Sequence, residues 1–285
     1  MARKPQTTAI ANWKEEMAQQ AKQAVEAEKL TGGGKFFSTA AGILSFDDTP
    51  LPGNMIACII VDSIAENVFY GTKYDPDNRT PPKCFAFSRD EEGNDQEIQP
   101  HPIVDKETDT FERQADECDG CPMNEWGSAD TGRGKACGNR RRLAIIPAGA
   151  YKSLGKGKGF DLEMFDDPDI FAKADLAFMK LPVTSVKGYS QYVHSLADQF
   201  DRPPHGVFTT ISLEQDPKSQ FKVVFELLEE IPDELMPTIM ARHKTARKEI
   251  AFPYTPFTED DAKESTTGRR TSGAKKLTRP AAKKR

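Results

Sequence analysis

Four cysteines carry the most chemistry in this 285-residue chain. Cys118 and Cys121 form C-x2-C in "CDGC", with fifteen residues between Cys121 and Cys137 and thirty-three between Cys84 and Cys118. A tight turn containing Gly120 can point two sulfurs at one ion while nearby backbone N–H groups soften their charge. Tetrahedral zinc takes four ligands, and four thiolates with no open position describe a closed, structural site. A set of three cysteines with His101 as fourth ligand, leaving Cys84 to pack, is the alternative. A redox dithiol fits less well, because "CDGC" falls in a loop between strands rather than between strand and helix. Cys58, in the apolar "MIACIIV", reads as a buried core thiol. An odd total of five cysteines argues against a disulfide framework.

The segment that the cysteines would fold is loaded with cations. Arg133, Lys135, Arg140, Arg141 and Arg142 accompany Trp126 between residues 118 and 142. Fixed cations beside exposed aromatics suit single-stranded nucleic acid: charge follows phosphates, and a π-face accepts any base. The candidate stacking residues are Trp126, Phe85, Phe87, Tyr70 and Tyr74, each with core packing as its competing role. Alternation along a strand sends Arg140 and Arg142 to one face and Arg141 to the other. Phosphate contact is expected of Arg140 and Arg142.

The elements that must position these residues are mostly strands. "KFFSTAAGILSFDD", "NMIACIIVDS" and "AENVFYGTKYD" read as short strands separated by Pro/Asp/Asn turns. "RRLAIIPAGA" leaves the cysteine cluster as a strand, and "GKGKGFDLEMFDDPD" reads as loop. "ADLAFMKLPVT" is a further strand. A helix over 185–200 follows, with Val186, Tyr189, Val193, Leu196 and Phe200 on one face. "GVFTTISLEQ" and "QFKVVFELLEE", joined by "DPKS", predict a hairpin, and a last helix is expected over 233–249. Residues 89–117 look acidic and loop-like. Strands without regular helix alternation disfavour a parallel α/β sheet and favour a small barrel or sandwich.

The ends differ from this body. Residues 9–30 lack Pro and Gly and space Ile10, Trp13, Met17, Ala21 and Ala24 as a surface helix, ended by "GGG" at 32–34. Residues 268–285 hold eight Lys or Arg and no acid, so the rest of the chain carries −13 against a whole-chain charge of −5. Such basic tails meet nucleic acid or simply solubilise. The expected organisation is a helix and Gly linker at 1–34, a core domain at 35–255 with a metal-binding insertion at 84–142, and a disordered tail at 256–285. No signal-peptide pattern opens the chain, and "MIACIIV" is too short to span a bilayer, so a cytoplasmic location without membrane partners is expected.

Several strings resemble a group of bacteriophage proteins regarded as single-stranded DNA-binding. They are "TPLPGNMIACIIVDSIAENVFY", "PPKCFAFSRD", "PHP" at 100–102, "CDGCPMNEWGSADTGRGKACGNRRRLAIIP" and "KLPVTSVKGYSQYV". The resemblance spans roughly residues 35–230, and its most specific element is C-x2-C-P-x-N-x-W-G-S followed by G-R-G-K-A-C. It implies an OB-type fold with a zinc-binding insertion ligated by Cys84, Cys118, Cys121 and Cys137. The implied role is coating single strands during replication or recombination, in the host cytoplasm if the chain is phage-encoded. Single-strand binders of that kind often end in an acidic, partner-recruiting tail, whereas this chain ends basic, which puts that mode of recruitment in doubt.

The expectation is therefore a mainly β protein with flanking helices: an OB-like barrel of five to seven strands with a zinc-ribbon-like insertion. It would bind single-stranded DNA without catalysis and with little sequence preference; RNA and replication or recombination proteins are further candidate partners. A zinc-ribbon adaptor touching an acidic protein surface is the alternative. A Mg2+-dependent nuclease would need converging carboxylates from Asp47, Asp48, Asp62, Asp166, Asp167 or Asp169. Its acid-x-Lys pairs, at Asp216 and Asp261, fall in a turn and in the tail. "TGGGK" and "GKGKG" lack the phosphate-loop pattern, and His194, Ser195 and His205 have no evident catalytic partner.

Overall fold

The computed structural model describes residues 36–255, apart from 48, 73–79, 106–109 and 131, together with Met17. Apart from Met17, the expected N-terminal helix lies outside the described residues, and so does the whole basic tail. The described chain is mainly β, with twelve strands and three helices. The strands are β1 (Phe36–Ser38), β2 (Ser45–Phe46), β3 (Thr49–Pro50), β4 (Met55–Phe69), β5 (Cys84–Arg89), β6 (Asp95–Pro100), β7 (Gly138–Pro147), β8 (Gly149–Ser153), β9 (Phe160–Met164), β10 (Ala177–Leu181), β11 (Val207–Asp216) and β12 (Gln220–Glu230). The helices are α1 (Pro168–Lys173), α2 (Val183–Phe200) and α3 (Met236–Glu249).

Two compact units divide the chain. The first comprises residues 1–65, 90–94 and 140–251, and the second residues 66–89, 95–139 and 252–285. In the first, strands follow the order β12-β11-β4-β7-β10-β1-β2-β3. Pairing is antiparallel for β11 with β12 and β4, for β10 with β7, and for β2 with β1 and β3; β1 and β10 run parallel. The expected break after "NMIACIIVDS" does not occur. No Gly or Pro interrupts Met55–Phe69, so one fifteen-residue strand forms. Its residues Ala57–Asp62 are buried without alternation, the signature of a strand covered on both faces.

The core of the first unit joins Ile60, Leu143, Ile145, Met179 and Ile211 to Tyr189, Tyr192 and Leu196 of α2. Of the predicted face of helix α2, Tyr189 and Leu196 are buried and Val186 and Val193 partly so, while Phe200 stays exposed and Tyr192 is buried in addition. The helix ends at Asp201, whose left-handed backbone (φ 52°) stops it. The buried Tyr192 hydroxyl meets Thr209 Oγ1 at 2.7 Å, which satisfies a polar group that the core could not otherwise accept. Ser185 Oγ accepts the Val223 N–H at 3.0 Å and ties α2 to β12. In the β11–β12 turn, Asp216 Oδ2 accepts from Lys218 N, Ser219 N and Ser219 Oγ, at 3.1, 2.8 and 2.7 Å.

Two loop expectations are corrected. "GKGKGFDLEM" contains the second arm of a β8–β9 hairpin, because Phe160, Leu162 and Met164 alternate with polar residues once the glycines are passed. Within 89–117, "DQEIQP" alternates in the same way and pairs with β5. Twelve strands thus replace the expected five to seven.

A close approach fixes the turn before β2. Gly42 has φ +74°, and a Cβ there would lie 2.1 Å from Phe221 Cζ. Gly42→Ala is expected to cost about 1–3 kcal/mol from overpacking alone, read as a lower denaturant midpoint at unchanged slope. A second prediction concerns acid. The rings of His205 and His243 stack at 4.2 Å, and His243 Nδ1 lies 2.6 Å from the Val61 carbonyl. Burial, then the neighbouring His243, push the His205 pKa down to about 4. The folded state thus resists a proton that the unfolded chain accepts near pH 6.5. Stability contributed by neutral His205 is intact above pH 6.5 and lost as pH falls toward 4. Thermal melts across that window should show the decline, and His205→Gln should flatten it.

Candidate functional site

The second unit gathers the four predicted cysteines. Glu66–Phe69 of β4 pair with β5, setting Cys84 opposite Phe69. Lys83 N–H donates to Phe69 O at 2.7 Å and its carbonyl accepts from Glu112 N at 2.8 Å. That stitch lays the following segment beside Cys84, whose sulfur accepts the Gln114 N–H. Gly120 (φ +69°) makes the turn between Cys118 and Cys121, and nothing would touch a Cβ there, so its conformation alone demands glycine. Pro122–Asn124 then form one 3-10 turn, with Cys121 at its start. Cys137 returns through its N–H to Met123 O at 2.7 Å.

Cys84, Cys118, Cys121 and Cys137 line one pocket with Asn67, Phe69, Met123 and Asn124 among its walls. Burial pushes the Cys118 thiol up to about 11, and Cys84 and Cys121 add to the rise while an Asn67 hydrogen bond opposes it. Cys137 rises to about 12 through burial, then through Cys118, Cys84 and Cys121. Cys84 is raised by burial, and again by Cys121, against the pull of the Gln114 N–H. Four thiols therefore sense each other at short range, and no disulfide joins them. As placed, the described His, Cys, Asp and Glu side chains form no group of three or more that could hold a metal ion. Cys58 is fully buried in the first unit, and desolvation holds its thiol far above the usual range.

An amide network surrounds the pocket. Asn139 Nδ2 donates to Asn67 Oδ1 at 2.6 Å and to Asn124 Oδ1 at 3.0 Å. Asn124 Nδ2 donates to Cys118 O at 3.0 Å, and Lys135 Nζ donates to Asn124 Oδ1 at 3.2 Å. Ser128 closes the loop that follows: its Oγ contacts Glu125 O at 2.7 Å and Met123 O at 3.0 Å and accepts the Ala136 N–H at 2.9 Å. Gly127 and Ala129 N–H groups both donate to Gly134 O. Asn124 and Ser128 lie inside the C-x2-C-P-x-N-x-W-G-S string, but no role of their own was read there. Asn67 and Asn139 carried no signal either, since their partners come from distant strands.

On this braced loop stands Trp126, 78% exposed. Lys135 Nζ lies 5.7 Å from its ring centroid, within cation–π range, and Arg133 is exposed. The other candidates divide. Tyr70 is half-buried and Tyr74 lies outside the described residues. Phe85 and Phe87 correct the stacking expectation: each is 1% exposed. They share one face of β5 and pack with each other at 5.6 Å, and Phe85 also meets Phe111 at 5.5 Å and Tyr254 at 5.0 Å. His101 belongs to this cluster, stacked on Phe85 at 5.2 Å, and is not among the pocket's walls. Its Nδ1 accepts from Ile103 N at 3.2 Å.

The arginines differ equally. Arg140 and Arg141 are half-buried. Arg142 is 1% exposed in the first unit and donates from Nη1 to Ile250 O at 3.0 Å, so phosphate contact is replaced by a structural bond to a carbonyl. The outward position expected of Arg142 is thus corrected: its side chain lies in the interior.

No family model, no curated protein and no solved structure matches this chain. Among the described residues, no helix is long and apolar enough to cross a membrane.

Ser128→Ala should strip three backbone groups of one partner. We expect a local loss of about 1–3 kcal/mol, seen as faster hydrogen exchange at the Ala136 amide while the core of β11 and β12 keeps its protection.

Proposed function

We propose that the chain is a non-catalytic, sequence-tolerant single-stranded DNA-binding protein of phage-type replication or recombination, with an OB-like domain and a zinc-ribbon-like insertion over 84–142. The observation that carries this reading is Trp126, an indole left open on a loop whose neighbours are tied down, with Lys135 above its ring and Arg133 nearby in sequence. An exposed indole in an immobilised loop loses little entropy on stacking with a base. Cations at its edge then meet the adjoining phosphates. The sequence resemblance to phage single-strand binders points the same way.

The donor chemistry of the pocket suits a structural zinc ion. Cys84, Cys118, Cys121 and Cys137, which line this one pocket, would hold it. When bound, such a cation would supply the positive charge that favours the thiolate form of its ligands. The chain's own groups do the rest: the Gln114 N–H and the Asn67 amide stabilise sulfur charge, and Asn124 and Asn139 fix the turn that carries Cys118 and Cys121.

The test is a titration of labelled single- and double-stranded oligonucleotides at two salt concentrations, with metal content measured on the same sample. Expected are one zinc per chain, preference for single strands and a steep loss of affinity with salt. Trp126→Ala should weaken binding by about 1–3 kcal/mol. Duplex preference, strand cleavage with Mg2+, salt-indifferent binding or an unaffected Trp126→Ala protein would overturn the reading.

A further inference from the structure

The "GKGKG" stretch that the motif analysis set aside forms the tip of the β8–β9 hairpin. The two arms pair from Gly149 with Met164 to Ser153 with Phe160 as their own two-stranded sheet. The tip is closed by Leu154 N donating to Gly159 O and Lys158 N to Gly155 O, both at 3.1 Å. Gly155, Gly157 and Gly159 have φ of +102°, +77° and +83°, and a Cβ on any of them would meet nothing within 4 Å.

The root, by contrast, is anchored within the same unit. Tyr151 hydroxyl meets Thr210 Oγ1 of β11 at 2.8 Å. Phe165 N donates to Ala148 O at 2.9 Å. Nearer the tip, the ring edge of Phe160 lies where a Cβ on Gly53 would come within 2.7 Å, so the ring approaches the backbone before β4. Phe160 is nevertheless 40% exposed, and Leu154 is 53% exposed.

The charges are segregated along the hairpin. Lys152 is neutralised by an ion pair with Glu163, and Asp161 sits opposite Lys152 in the register. From 154 to 160 there is no acid, and Lys156 and Lys158 form no ion pair among the described residues. A finger with a fixed root, two unneutralised ammonium groups and a half-open aromatic ring has the attributes of a strand-tracking element: phosphates meet the lysines and a base meets the ring. A purely solvated turn would have no need of exposed Leu154 and Phe160.

We infer that the β8–β9 hairpin is a second contact element for single-stranded nucleic acid, with Lys156 and Lys158 taking successive phosphates and the exposed part of the Phe160 ring taking a base. This rests on the single-strand-binding reading above but uses none of the residues of the thiol-lined site.

The experiment compares the full-length protein with Lys156→Ala/Lys158→Ala and with Phe160→Leu, which keeps apolar contact over Gly53 and removes the π-face. Affinity for a labelled single-stranded oligonucleotide is measured across a salt series, with thermal midpoints recorded alongside. At unchanged midpoints, the double variant should make the slope of log affinity against log salt less steep by about 1.4, two phosphates at 0.7 each. Phe160→Leu should weaken binding about tenfold at constant slope. If the parent protein binds and both variants match it, the hairpin inference is overturned and the proposed function stands. If the parent protein binds no single strand, the proposed function itself fails and takes the hairpin with it. Lysine-dependent binding to vesicles of phosphatidylglycerol, with the oligonucleotide slope unaltered, would reassign the tip to a lipid surface and overturn the inference.

Discussion

Four thiols in one small space are the constraint on which the second unit depends. Burial raises the thiols of Cys84, Cys118 and Cys137, and charge on a neighbouring sulfur raises each of the three further. The crowding is held by hydrogen bonds of backbone groups in three separate stretches: the β4–β5 ladder, the Cys118–Cys121 turn and the return at Cys137. Phe85, one of the pocket's walls, also belongs to a packed aromatic cluster with Phe87, Phe111, His101 and Tyr254. Trp126 belongs to neither, and the glycine-rich loop presents it outward.

Much of the fold was readable from periodicity. The β11–β12 hairpin, strand β10 and helix α2 follow patterns of two and of 3.6 that no tertiary contact had to override. The errors have physical sources. A fifteen-residue strand looked like two because strands of that length are rare and the polar Asp62 and Ser63 mimic a boundary. β6 hid in acidic composition, since only one of its faces is covered. The gathering of Cys84 with the C-x2-C pair was legible in spacing and chemistry, whereas the asparagines that brace the turn were not: the hydrogen bond from the Asn139 amide to the Asn67 amide spans seventy-two positions and leaves no periodic trace.

Counting cations in the sequence overstated how many face outward. Arg142, Arg242 and Arg247 all spend donors on backbone carbonyls, of Ile250, Ala174 and Gly93 respectively. A guanidinium can do this because its planar fork satisfies carbonyls that a helix end or a turn leaves over. The run "RRR" therefore reads partly as architecture, and the cations available to a ligand lie where the sequence seemed least structured, in loops dense with glycine.

The parallel pairing of β1 with β10 joins Phe36 to Phe178 across about half of the chain. During synthesis, the segment that becomes β1 leaves the ribosome long before its mate exists. At about 5–20 residues per second it waits roughly 7–28 seconds, with Phe37 and the neighbouring β2 lacking their place in the sheet. The first unit thus completes its sheet late in translation, and the nascent chain carries unpaired strand edges in the interval.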